Sequence, residues 1–271
     1  MTNLEIKSKS KKEKINIYNV LDFKLMKKSG LLAAKTLDFI TQYVKPGITT
    51  EKLNQLCHNF IIENNAIPAP LNYNGYPKSI CTSVNHVVCH GIPSKKVLDI
   101  GDIINIDVTV ILNGWYGDTS RMFIVGGKAS IKANKLIQIT YECMIEAIKK
   151  IKPGLTLGDI GYIIEKNANK NNFSVVKDFC GHGIGKDFHE APSILHYGTK
   201  NQGLRLKEGM IFTIEPMLNA GTSEVKILND GWTAVTKDKQ LSAQFEHTIG
   251  VTKNDYEIFT LSPKNYHKPP Y

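Results

Sequence analysis

The chain has 271 residues, 42% hydrophobic and 22% charged, with a formal net charge of +9. That is an ordinary globular composition, long enough to bury a sizeable core as one large domain or two small ones. No apolar run approaches the roughly 18 residues of a membrane span, and the N-terminus lacks the apolar stretch of a secretory signal, so a cytoplasmic protein with no membrane partner is expected.

Residues 1–16 read as a flexible basic arm, with Lys7, Lys9, Lys11, Lys12 and Lys14 against Glu5 and Glu13. No aromatic residues are interleaved, so a solvated arm is favoured over an RNA-reading surface. An amphipathic segment over about 20–44 predicts a helix. Val44-Lys45-Pro46-Gly47-Ile48-Thr49 stops it, and Thr49 can cap a second helix over about 49–64. The five cysteines (Cys57, Cys81, Cys89, Cys143, Cys180) show no paired spacing and read as reduced. Cys89-His90 has no C-x-x-C beside it, so Cys89 reads as a small buried residue rather than a zinc ligand.

Ile103 to Thr119 is the most informative stretch. Asn113-Gly114 is a strong hairpin turn, because both residues tolerate positive φ. With those two as the loop, Leu112 pairs with Trp115 and Thr109 with Asp118. Asp107 and Thr109 then share a face, which Asp118 joins diagonally within about 7–8 Å of Asp107. Two carboxylates on an apolar hairpin repel each other unless a positive charge sits between them, and divalent metal is the natural candidate.

Further along, Ile151-Lys152-Pro153-Gly154-Leu155-Thr156 repeats the earlier motif at an offset of 107 residues. It again lies between two helical segments, about 129–151 and 156–170. Leu98–Asp107 returns as Leu206–Glu215, and His90-Gly-Ile-Pro-Ser echoes His189-Glu-Ala-Pro-Ser. The pattern predicts an α+β fold over 17–271, built from two halves, about 17–127 and 128–253. A pseudo-twofold axis would relate the halves, which share one sheet. Asp107 and Glu215 would sit near the ends of equivalent strands.

Cys180 to Pro192 is glycine-rich and carries His182 and His189, and it matches no phosphate-binding pattern. Asp230-Gly231 predicts another hairpin turn, leading to a strand over Ser242–Val251 that carries Glu246. Asp107, Asp118, His182, Glu215 and Glu246 make a mostly oxygen ligand set suited to Mn(II), Fe(II), Co(II) or Zn(II). Two such ions about 3.5–4 Å apart can bridge a water, lower its pKa and polarise a carbonyl, which is hydrolytic chemistry.

The motifs C-H-G-I-P, I-N-I-D-V, W-Y-G-D-T-S, G-H-G-I-G-x-x-F-H-E-x-P, F-T-I-E-P and F-E-H-T, in this order, resemble those of the type I methionine aminopeptidases over about residues 17–253. The resemblance implies the pita-bread fold, a curved antiparallel sheet with helices on its outer face. It implies removal of the initiator methionine from nascent polypeptides, with preference for a small second residue. Asp107, Asp118, His182, Glu215 and Glu246 would hold two divalent ions. Asp107 would chelate one, while Asp118 and Glu246 would bridge both. Glu215 would also take the proton of the attacking water. His189 would hydrogen-bond the substrate carbonyl, and His90 would contact the scissile amide nitrogen.

The methionine pocket would draw on Tyr73, Tyr76, Cys81, Phe188, Met217 and Trp232, since aromatic rings and sulfur suit a thioether. Pro70 departs from the family, standing where many bacterial members have a cysteine. A monovalent cation near Asn85, Val108 and Ser242 is a further family feature. A monomer is expected, in transient contact with the ribosome and with no DNA partner. Two other readings are a proline-specific aminopeptidase or dipeptidase on the same fold, and a non-catalytic ribosome-binding relative. The first usually carries a large extra N-terminal domain, and the second would lack the ligands kept here.

Overall fold

The computed structural model describes residues 14–269 and Tyr271, so residues 1–13 of the predicted basic arm lie outside the described residues, and Asn16 at its end is tied to Glu190 rather than flexible. Four long helices form where the two repeats predict them: α1 (Val20–Ile40), α2 (Thr50–Glu63), α3 (Ile131–Ile148) and α4 (Leu157–Lys170). Each starts at a polar cap. Asn19 and Asp22 close a reciprocal capping box on α1, as do Thr156 and Asp159 on α4, while Thr49 and Ser130 cap α2 and α3. Gly47 and Gly154, at φ +88° and +92°, take the left-handed turns between helices. In each half that glycine N–H bonds to the leucine opening the repeated strand motif, Gly47 to Leu98 and Gly154 to Leu206, both at 2.8–2.9 Å. The internal repeat is thus also a repeat of contacts.

The first half supplies strands β1 (Ile67–Pro68), β2 (Cys81–Val84), β3 (Val87–Cys89), β4 (Ile103–Leu112) and β5 (Trp115–Ile124). The second supplies β6 (Ser174–Val175), β7 (Gly181–Gly183), β8 (Glu190–Ile194), β9 (Ile211–Ile214), β10 (Met217–Asn219), β11 (Val225–Ile227), β12 (Ala234–Thr236), β13 (Ser242–Gln244), β14 (His247–Val251) and β15 (Tyr256–Ile258). Every pairing is antiparallel. The strands form four hydrogen-bonded segments rather than one unbroken sheet. Side chains and single bridges join the segments: Ser120 pairs with Glu246, Thr248 Oγ1 donates to the Asp118 carbonyl, and Asn105 Nδ2 donates to the Gln244 carbonyl.

The β4–β5 hairpin has the predicted register, Leu112 opposite Trp115 and Thr109 opposite Asp118, without a bulge. Asn113 and Gly114 take positive φ at its turn. Alternation along β4 divides the molecule. Ile104, Ile106, Val108 and Val110 pack into a core with Leu32, Leu37, Leu53 and Ile61 of α1 and α2. Asn105, Asp107 and Thr109 face the other way. In the second half α3 and α4 cover Phe212, Ile214 and Ile249 in the same manner. Helices therefore occupy one side of the strands and leave the other for chemistry.

Two local expectations are corrected. The predicted strand over 242–251 is interrupted at Phe245–Glu246, because the Glu246 N–H turns aside to the Ser120 carbonyl at 3.2 Å. Asp107 and Glu215 are not both near strand ends. Asp107 is mid-strand in β4, whereas Glu215 lies just beyond β9, where Pro216 has no N–H to continue a ladder. The Asp230-Gly231 turn forms, within a six-residue loop between β11 and β12. Among the described residues no helix is long and apolar enough to cross a membrane.

Candidate metal centre

Asp118 is buried on β5, and the Thr109 hydroxyl opposite it donates to its Oδ1 at 2.7 Å. His182 is the central residue of β7. Its neighbours are glycines for a physical reason: a Cβ on Gly181 would lie 2.5 Å from the Thr213 carbonyl oxygen, and one on Gly183 would lie 2.3 Å from that of Ala191. His182 Nδ1 faces the Gly183 carbonyl at 3.0 Å, so the proton sits there and the Nε2 lone pair points at the acids. Nε2 lies 3.8 Å from Asp118 Oδ2 and 3.5 Å from Glu215 Oε1. Burial, then the neighbouring His189, depress the His182 pKa to about 3, so these contacts join a neutral imidazole to acids and are not ion pairs.

Glu215 Oε1 accepts from Thr213 Oγ1 at 2.8 Å, and Oε2 accepts from Gln244 Nε2 at 3.3 Å. Its backbone N–H donates to Nε2 of the buried His196 at 3.2 Å. One donor atom from each of Asp118, His182 and Glu246 lies within 4.8 Å of the others. Asp107 Oδ1 is buried with no hydrogen-bond partner among the described residues. Burial raises the pKa of all four carboxyls, and mutual repulsion adds to it at each of Asp118, Glu215 and Glu246. Among the described residues no lysine or arginine lines the surrounding cleft.

Four crowded carboxyls, an orphaned carboxylate oxygen and an imidazole with its lone pair turned inward therefore call for a cation. The donor set, oxygen-rich with one nitrogen, fits divalent transition metal.

The cleft has a volume of about 620 Å³, and every predicted site residue lines it. His189 is exposed at its rim, its ring between His182 and Phe188 with centroids 4.3 Å from each. The Tyr73 hydroxyl sits 2.8 Å from His189 Nδ1, a contact beyond the pocket-wall role read from sequence. His90 takes φ +55° just after β3, and burial followed by proximity to His189 depresses its pKa to about 4. Its ring meets Phe179 and Trp232 edge-on. Buried Tyr76, Cys81 and Met217 form the apolar wall, where Tyr76 contacts Trp232 edge-to-face at 5.2 Å and bonds through its hydroxyl to the Ile80 and Gly91 carbonyls.

The sequence model of metallopeptidase family M24 matches residues 24–253, a span holding all five candidate ligands. The chain belongs to metallopeptidase family M24. Membership implies divalent metal use, in accord with the donor set. The M24 chain is 63% identical to the methionine aminopeptidase of Rickettsia prowazekii over 258 residues, 95% of this chain and 99% of the relative. The crystal structure of a methionine aminopeptidase from Rickettsia prowazekii superposes at TM-score 0.90, covering 92% of this chain and 100% of that one. A prolidase from Pyrococcus furiosus has the same fold at TM-score 0.72 and 22% identity, and the chain covers 65% of its length.

Thr109 holds the place opposite Asp118 that the hairpin register gave it, and two supporting groups of this M24 site were not singled out in the sequence. Thr213 stands two residues from Glu215, a spacing that shares a face in a strand and was available as a signal. Gln244 comes from a distant strand and left none. The monovalent-cation trio is corrected. Ser242 N–H bonds to the Asn85 carbonyl at 2.8 Å, so those two meet. Val108 does not join them: Val84 pairs with Ile104, four residues earlier in β4, about 13 Å away at strand spacing. The Val108 side chain points into the helix-facing core.

Proposed function

We infer that this chain is a metal-dependent aminopeptidase that removes the N-terminal methionine from nascent proteins and peptides, preferring a small second residue. One observation carries the reading. Uncompensated carboxyls and a neutral imidazole converge beside an apolar, sulfur-containing pocket, in a chain 63% identical to a methionine aminopeptidase.

Asp107, Asp118, His182, Glu215 and Glu246 would hold two divalent ions drawn from Mn, Fe, Co or Zn. Such ions, when bound, lower the pKa of a water and polarise a carbonyl. Glu215, its carboxylate oriented by the Thr213 hydroxyl and the Gln244 amide, takes the proton of the attacking water. With Tyr73 donating to Nδ1, His189 keeps its proton on Nε2 and donates it to the scissile carbonyl oxygen as negative charge develops there. His90 stays neutral near pH 7 and faces the leaving amine nitrogen. Tyr76, Cys81, Phe188, Met217 and Trp232 seat the unbranched thioether, for which sulfur–aromatic contacts are favourable.

We read transient ribosome contact from two features: the net charge of +9, and an outer groove of about 610 Å³ in which Lys149, Lys150, Lys152, Lys166 and Lys200 outnumber Glu146 and Asp159.

The test is a peptide panel across a metal series. Protein loaded with Co(II) or Mn(II) should release methionine from Met-Ala-Ser, leave Met-Lys-Ser intact and leave Ala-Pro dipeptide uncut. Cleavage of Ala-Pro alone would establish the proline-specific reading. An intact Met-Ala-Ser together with ribosomal-RNA binding would establish the non-catalytic one.

A further inference from the structure

We propose that Tyr18 and Asn16, acting through Glu190, form a clasp that positions His189 for the hydrolytic step. The proposal rests on the role read above for His189. Glu190 follows His189 directly and opens β8. The Tyr18 hydroxyl lies 2.7 and 2.8 Å from its two carboxylate oxygens, and Asn16 Nδ2 donates to Oε2 at 2.9 Å. The backbone N–H groups of Lys186 and Asp187 both donate to Oε1 at 3.1 Å. One carboxylate thus closes the turn 186–190 on itself and pins it to the segment ahead of α1, 172 residues away in sequence.

That segment is a firm anchor. Tyr18 N–H donates to the Gly209 carbonyl at 2.8 Å, and its ring meets Trp115 edge-on at 5.2 Å. The turn has been shaped to receive it, since a Cβ on Gly185 would lie 2.1 Å from the Tyr18 hydroxyl oxygen. The turn needs such a tie because its own ladder is irregular: between β7 and β8 the register shifts at His182/Gly183, leaving Glu190 as the last paired residue before the tip. From the cleft side the tip is held by the Tyr73–His189 hydrogen bond at 2.8 Å and by Phe188 stacked on Tyr116 at 5.6 Å, and at its base by the Tyr116 N–H donating to the Gly185 carbonyl at 2.9 Å. Tyr18 and Asn16 are therefore positioning residues. They touch neither the candidate ligands nor the pocket, and they fix the backbone from which His189 reaches the scissile carbonyl.

Tyr18→Phe keeps the ring against Trp115 and removes only the hydroxyl. Asn16→Ala removes the second tie. Misplacing a catalytic group by about 1 Å can lose 10²-fold in rate, so a loosened turn should lower kcat on Met-Ala-Ser about tenfold, with KM within about twofold. Thermal unfolding of each variant is measured alongside, and the same changes are made in a His189→Ala background, where residual turnover is followed. A positioning role predicts that the Tyr18→Phe loss disappears once His189 is absent, whereas a general structural role would retain it. Normal loss on His189→Ala, with unchanged kcat in both Tyr18→Phe and Asn16→Ala, overturns the clasp alone, as does an undiminished Tyr18→Phe loss in the His189→Ala background. Full turnover by His189→Ala overturns both the clasp and the role read for that histidine.

Discussion

At Asp118 one carboxylate oxygen is held by the Thr109 hydroxyl and the other faces His182. Without cations the charge of this side chain is opposed by burial, then by Asp107 and Glu215. With cations the same oxygens become ligands. Asp118→Asn should therefore act in opposite directions on two measurements. Removing a hydrogen-bond partner of a ligand already costs 10–100-fold, so replacing the ligand should lower turnover by more than about 100-fold. The amide still accepts from Thr109, and one repelling charge is gone, so the metal-free variant should melt at a higher temperature than the metal-free parent. Retained turnover would remove Asp118 from the centre. The ligand residues were legible because acids in apolar strands and histidines among glycines are chemically anomalous. Gln244 and His196 were not, because each acquires its meaning only from a contact with Glu215 across more than 18 residues of chain.

The elements that frame the site differ in how openly the sequence announces them. The β4–β5 hairpin is announced by two adjacent residues: once Asn113-Gly114 is taken as the loop, every pair down to Ile103–Ile124 follows. The helix pairs are announced by the repeated Lys-Pro-Gly motif. The break between β13 and β14 is hidden, since Phe245 and Glu246 carry no turn signal and the interruption depends on the Ser120 carbonyl from the other half. The hairpin turn offers a clean test. Gly114 has φ +77°, and a Cβ added there would meet nothing within 4 Å, so Gly114→Ala introduces backbone strain without a clash. It should destabilise the protein by about 1–2 kcal/mol in urea titrations. Turnover per folded molecule should be kept, because the register below the turn is set by ten paired residues on each arm. A wild-type denaturation midpoint would show that the turn's conformation is not limiting.

Across the whole molecule, two helix-covered cores hold the strands so that carboxyls from both halves meet in one cleft, and the charge left uncompensated there should govern stability. Burial pushes Asp107 up to about 7 and Glu215 up to about 8 in the metal-free protein, from unfolded values of ~4. The folded chain therefore keeps protons that the unfolded chain releases. This contribution to stability is fully present below about pH 4 and is lost as pH rises through 7 and 8. The buried histidines act in the other direction. His90, His182, His196 and His247 all have pKa values lowered by burial, so their contribution is complete above the unfolded value of ~6.5 and is lost only as pH falls below it. Between pH 6.5 and 8 the carboxyls alone among these groups change. In excess chelator the melting temperature should accordingly fall across that window, by roughly 2–4 °C for each kcal/mol lost in a chain of this size. Saturating Mn(II) or Co(II) binds the ionised carboxylates and should raise the melting temperature most at pH 8, flattening or reversing the slope. A chelated protein whose melting temperature climbs from pH 6.5 to 8, or that gains equally from metal at both ends, would show that the acids in the cleft are compensated by something other than the ions.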